Sequence, residues 1–171
     1  MKIPVFVSCP TTLSEAQQGS RKLILDMLEM LELEPRAIGV SDFATQFPLR
    51  EVAVLARHCS GGVILGFEQF RVQQGIRKYG TAKQKEVTDL IIFPTEWNQL
   101  EAGVLFSAGL PLLVFKEPGL AGGIFDLGVS DVFLYDMPRS TSSDAEKRQL
   151  SSVFLKWQAD VRRHYYEHCF K

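Results

Sequence analysis

The chain carries only three cysteines, Cys9, Cys59 and Cys169, which are scattered, odd in number and lack CxxC spacing. That excludes a secreted-type disulfide framework and a cysteine zinc site, and it points to a reducing compartment. An excess of charge of either sign is also missing, with 19 basic side chains against 20 acidic ones and a formal net charge of -1. No overall field draws in nucleic acid or an anionic membrane, so the expected partner is a small molecule or a protein. No window holds about eighteen uncharged apolar residues, and the apolar run in MKIPVFVSCPTT is too short for a signal sequence. The chain is therefore expected to be soluble and cytosolic. Gly61-Gly62 lacks G-x-G-x-x-G spacing and opens no helical pattern, so the glycine fingerprint of a dinucleotide site is absent as well. There is no internal repeat.

What is present is 46% hydrophobic residues, enough for one core, and 171 residues are read as a single domain. Ile3 to Ser8 is apolar without strict alternation, as a strand covered on both faces must be. Thr11-Thr12-Leu13-Ser14-Glu15 offers hydroxyl caps, after which Leu23, Ile24, Met27, Leu28, Met30 and Leu31 keep helical spacing up to Glu32. Glu34 to Val40 predicts a second strand, ending at the polar pair Ser41-Asp42. Pro48 opens a second helix through Ala56, and Val63 to Phe67 is a third strand. A Gln-, Lys- and Arg-rich segment at 68–93 breaks the rhythm, and its ends are expected to return near each other as an insert bordering a site. A third helix runs from Glu96 to Gly109. Strands follow at Leu112–Phe115 and Val132–Tyr135, and a C-terminal amphipathic helix spans about 144–168.

Alternating strands and helices predict an α/β fold with a five-stranded parallel sheet, flavodoxin-like or Rossmann-type, in the order 2-1-3-4-5 with helices on both faces. In such sheets ligands bind outside the carboxyl ends of the strands, where the strand order reverses. The residues placed there are Ser8, Pro10 and Thr11 after the first strand, Ser41 and Asp42 after the second, Gly66 and Glu68 after the third, and Thr95 to Glu101 on the third helix.

The segment PTEWNQLEAGVLFSAGLPLLVF, residues 94–115, sets a carboxylate, Glu101, beside Ala102 and Gly103 in otherwise apolar surroundings. Ahead of Gly109-Leu-Pro111, and together with the opening PVFVS strand, this layout resembles the nucleoside 2-deoxyribosyltransferase-like proteins. Trp97 followed by Glu101 is also similar to the helix of enzymatic Toll/interleukin-receptor (TIR) domains. The resemblance covers roughly residues 1 to 135, and the insert lies outside it. PTEWNQ stands where transferases of this group carry an acidic stretch.

The resemblance implies an enzyme that cleaves or transfers at the N-glycosidic bond of a nucleoside, nucleotide or NAD-like ligand, with Glu101 as the catalytic carboxylate. The chemistry agrees with that assignment, because an oxocarbenium-like sugar calls for a carboxylate beside the anomeric carbon. Near its helix start Glu101 is expected to be held ionised by the helix dipole. Trp97 and Asn98, one turn earlier, would stack on a base and bind a sugar hydroxyl, although a buried structural tryptophan fits Trp97 equally well. Ser41-Asp42 suits a ribose hydroxyl or a simple cap, and caps account for Thr11 and Thr12. Ser8, Pro10 and Thr11 are the candidates for holding a phosphate. His164 and His168 lie four residues apart with no third ligand in the sequence, so no metal is expected, and no cofactor either. A non-catalytic nucleotide sensor or TIR-like assembly module remains the alternative from another class. The resembled group also includes sites completed by a neighbouring subunit, which leaves homo-oligomerisation open.

Overall fold

The computed structural model describes residues 2–38, 47–129, 132–139 and 141–169. Five parallel strands form the central sheet: β1 (Ile3–Ser8), β2 (Leu33–Arg36), β3 (Gly62–Gly66), β8 (Leu112–Lys116) and β9 (Phe133–Asp136). Their spatial order is β2-β1-β3-β8-β9, the predicted doubly wound order with its reversal between β1 and β3. The crossovers are α1 (Glu15–Met30), α2 (Pro48–Arg57) and α3 (Glu96–Ser107), and α4 (Asp144–Cys169) closes the described chain.

Side-chain alternation along the strands splits the core into two layers. Val5, Val7, Val63, Leu65, Leu113 and Phe115 face α1 and α4, where Ile24, Leu28, Phe154, Trp157 and Val161 meet them. Phe6, Ile64, Leu112 and Val114 face α2 and α3, against Val52, Leu55, Ala102 and Leu105. A strand buried on both faces has no polar side to display, which is why β1, β3 and β8 read as unbroken apolar runs. Burying each large side chain contributes about 1.5–3 kcal/mol, and these two layers hold the sheet edges between paired helices.

Local signals moved several boundaries. Helix α1 is capped by Ser14, whose hydroxyl accepts from Gln17 N while Gln17 Oε1 accepts from Ser14 N, a reciprocal capping box. Thr11 and Thr12, expected as caps, lie outside the helix because this box closes it three residues later. The helix ends at Met30, and Glu32 adopts a left-handed φ of 57°, so β2 begins at Leu33 and stops at Arg36. Part of the predicted strand to Val40, together with Ser41 and Asp42, lies outside the described residues.

The 68–93 segment is a two-stage antiparallel arm. Strands β4 (Phe70–Val72) and β7 (Ile91–Phe93) pair at its root, and β5 (Gly75–Arg77) and β6 (Lys85–Val87) pair beyond them. Gln69 N donates to Phe93 O at 2.9 Å, so the ends of the segment do return to each other. The root is tied down by Glu117, whose Oε2 accepts from Glu68 N at 2.6 Å and from Gln17 Nε2 at 3.1 Å.

Candidate functional site

Helix α3 begins with Thr95, whose hydroxyl oxygen accepts from Asn98 N and whose proton goes to Asn98 Oδ1, both at 3.2 Å. Asn98 is buried to 1% exposure, and its Nδ2 donates to Ser8 Oγ, the last residue of β1, at 2.8 Å. The Ser8 hydroxyl also stands toward the Glu101 carboxyl, whose pKa it lowers. The buried members of this chain, Asn98 and Ser8, are satisfied, so they cost little to bury and fix the start of α3 against the end of β1.

Glu101 faces a cavity of about 320 Å³ outside the carboxyl ends of β1 and β2. Cys9, Pro10 and Thr11 come to it from the β1 loop, and Arg21 and Leu25 from one face of α1. Pro35, Ala37 and Ile38 form an apolar wall at the end of β2. The helix bearing Glu101 packs on one face of the sheet and the helix bearing Arg21 on the other. The cavity therefore opens at the carboxyl end of the sheet, beside β1, the strand that borders the reversal in strand order.

Burial raises the Glu101 pKa above the ordinary carboxylate range, and the Ser8 hydrogen bond opposes this without reversing it. The helix dipole was expected to favour the ionised form, and burial works against it. Glu101 is the sixth residue of α3, and the dipole acts within the first turn, whereas desolvation acts wherever water is excluded. Since the folded pKa lies above the unfolded one, the stability tied to this carboxyl is complete below the unfolded value. It is lost as pH rises through the folded value.

The Cys9 thiol is pushed up to about 11, mainly by burial, with the Arg21 charge opposing and the Glu101 charge adding to the rise. At pH 8 its thiolate population is correspondingly small, and alkylation by iodoacetamide is expected to run on the order of 10–100-fold slower in the folded chain than after denaturation. Peptide mapping of the labelled protein over time checks this. Equal rates in both states would remove the buried, protonated thiol from the site. Arg21, half-buried and on the cavity lining, has no hydrogen bond or ion pair to another described residue.

Of the residues named from sequence, Glu101, Pro10 and Thr11 line this cavity, and Ser8, Asn98 and Thr95 stand behind Glu101 as its support. Asn98 is too buried to reach a sugar hydroxyl, because its amide is committed to Ser8. Trp97 is 43% exposed and lies outside the cavity lining, so it is neither the buried structural residue nor a wall of this site. Gly66 is needed for packing: a Cβ there would collide with the Phe125 ring. Glu68 sits at the arm root, paired with Arg71 at 2.6 Å. Neither Gly66 nor Glu68 joins Glu101. Ser41 and Asp42 are outside the described residues.

Sequence reasoning missed Cys9 and Arg21. Cys9 lies between two residues that were singled out, and Arg21 shares a helix stripe with Leu25 and Leu28, an out-of-place cation on an otherwise apolar face. Among the described residues no cluster of three or more acidic, histidine or cysteine side chains could hold a metal, and no helix is long and apolar enough to cross a membrane. No protein-family model matches the chain, and comparison with curated proteins gives no match.

Proposed function

We propose that the cavity binds a nucleoside or nucleotide and that Glu101 promotes cleavage of its N-glycosidic bond. The observation that carries this reading is the Glu101 carboxyl itself: half-buried, beside Ser8 at the end of β1, and facing a cavity whose lining also carries Arg21. A carboxylate so placed stabilises positive charge developing at an anomeric carbon, or forms a glycosyl ester with it. The C–N bond breaks with its electron pair on the base nitrogen. In hydrolysis, water supplies the hydroxyl to the sugar and the proton to the base; in transfer, a second base takes the place of water.

A volume of about 320 Å³ lies at the small end of ligand pockets, which run from about 300 to 1,000 Å³. It suits one nucleoside or mononucleotide better than a dinucleotide. The unpartnered Arg21 guanidinium, with Thr11 nearby on the lining, favours a ligand that carries a negative group, as a phosphate does.

The direct test is to incubate the purified chain with nucleosides, mononucleotides and NAD and to separate any released free base by chromatography. Base release supports the reading. Binding by thermal shift without release from any of them would count against catalysis and favour the sensor alternative. Arg21→Ala is expected to weaken a mononucleotide about 10–100-fold, the scale of one charge-assisted contact, while leaving the matching nucleoside within about twofold. Calorimetric titration of the pair checks this, and equal losses for both would show that Arg21 does not meet a charged group.

A further inference from the structure

The near-zero net charge of the chain conceals a strong local asymmetry. Between residues 70 and 93 the arm carries five cations, Arg71, Arg77, Lys78, Lys83 and Lys85, against two acids, Glu86 and Asp89. Its net charge is +3, so the remainder carries -4. Arg71 is occupied by Glu68 at the root. The other four crowd the β5–β6 hairpin, all exposed and with no ion pair to another described residue.

Their placement is unfavourable for the isolated chain. Arg77 and Lys85 stand directly opposite in the β5–β6 register, and like charges opposite one another destabilise a ribbon. Ile76 pairs with Glu86 on the other face, so the Arg77/Lys85 face of the ribbon carries no acid from either strand. The tip is nevertheless built. Lys78 has a left-handed φ of 51°, Lys78 O accepts from Thr81 Oγ1 at 2.8 Å, and Gly80 N donates to Gln84 Oε1 at 2.8 Å. This turn projects Tyr79 at 79% exposure among the cations.

We propose that this hairpin is a binding surface for single-stranded nucleic acid, with Arg77, Lys78, Lys83 and Lys85 on phosphates and Tyr79 stacking on a base. Four unpaired cations interleaved with one exposed aromatic and the polar Gln84 and Thr81 match the demands of a flexible polyanion with flat bases. An anionic membrane would ask for a contiguous apolar tip, and the tip between Arg77 and Lys85 is Lys-Tyr-Gly-Thr-Ala-Lys-Gln. This proposal is independent of the Glu101 cavity, whose lining contains no residue of the arm.

The test is fluorescence anisotropy of a labelled oligothymidine of about 20 nucleotides titrated with the full chain at about 50 and 200 mM salt. Binding is expected to weaken with salt at a log–log slope near -3, about 0.7 per neutralised phosphate. The variant R77A/K78A/K83A/K85A is expected to lose binding about 100-fold or more with an unchanged thermal melt, and Tyr79→Ala to lose about tenfold. If the quadruple variant misfolds, K78A/K83A, which lies outside the paired strands, is read in its place, with a loss of about tenfold or more expected. Several outcomes would overturn the proposal: no binding at the lower salt, or binding that survives removal of the cations. Equal affinity for polyglutamate of matched charge, or binding to phosphatidylserine vesicles but not to the oligonucleotide, would overturn it as well.

Discussion

Glu101→Gln is expected to reduce base release by about 10²–10⁴-fold while leaving ligand affinity within a few-fold and the fold intact. Glutamine matches glutamate in size, and the Thr95–Asn98–Ser8 chain behind it is made without the Glu101 charge, so it persists. What disappears is the negative charge at the position of the sugar cation. Burial raises the Glu101 pKa in the folded chain, so above that pKa the folded chain carries a desolvated charge that the unfolded chain holds in water. The variant, which has nothing to ionise, should therefore melt at a higher temperature than the wild type at neutral pH and lose this advantage toward acid. The same shift predicts that wild-type kcat/KM climbs with pH through a midpoint above the ordinary carboxylate range, a limb absent in the variant. Turnover by Glu101→Gln at the wild-type rate would sink the catalytic reading. Lower stability of the variant at neutral pH would contradict the desolvated carboxyl.

Trp157→Ala is expected to be the most damaging change to the fold. The indole is fully buried, its Nε1 donates to Pro111 O at 3.0 Å, and its ring meets Phe154 edge-on at 6.2 Å between centroids. It also fills the space beside Gly61, where an added Cβ would stand 3.0 Å from the indole. Truncation leaves a cavity between α4 and the sheet and strips a buried carbonyl of its donor, at a cost of about 3–5 kcal/mol. Against a typical total of about 5–15 kcal/mol that loss is large, and for a chain of this size it lowers Tm by roughly 10 °C or more. Leu155→Ala on the same helix, 54% exposed, should stay within about 0.5 kcal/mol of wild type. Calorimetric melts of the two variants side by side distinguish burial from helix propensity.

The two variants separate the layers of the molecule. Trp157 acts on the α1–α4 side of the sheet, whereas Glu101 acts at the strand ends, where α3 overhangs β1. A chain weakened at Trp157 is expected to release base normally when measured well below its Tm, and one altered at Glu101 to melt as a folded domain.

The sheet was legible in the sequence because hydrophobic periodicity is a local signal. Apolar runs at residues 3–7, 63–67 and 112–115, separated by helical spacing, already imply a parallel sheet covered on both faces. The C-terminal helix was legible for the same reason, and Glu101 stood out as a carboxylate with no partner in its own helical pattern. Boundaries were less legible where two caps competed: Thr11 and Thr12 are as good as Ser14 by residue type, and the reciprocal bond from Gln17 decided between them.

Composition, periodicity and turn chemistry thus determined the α/β class, the strand order and the strand ends at which a ligand would sit. The tertiary structure alone decided which side chains meet there. Cys9 and Arg21 join Glu101, while Gly66 and Glu68 turn away to Phe125 and Arg71. It also decided the direction in which the Glu101 pKa moves, because desolvation depends on what surrounds a group in space, and the cavity wall is drawn from segments about 60 to 90 residues away in the chain. A net charge of -1 likewise sums over the whole chain, whereas a partner meets the local field. The four cations already lie together within residues 77–85, and the pairing of β5 with β6 is what sets Arg77 opposite Lys85.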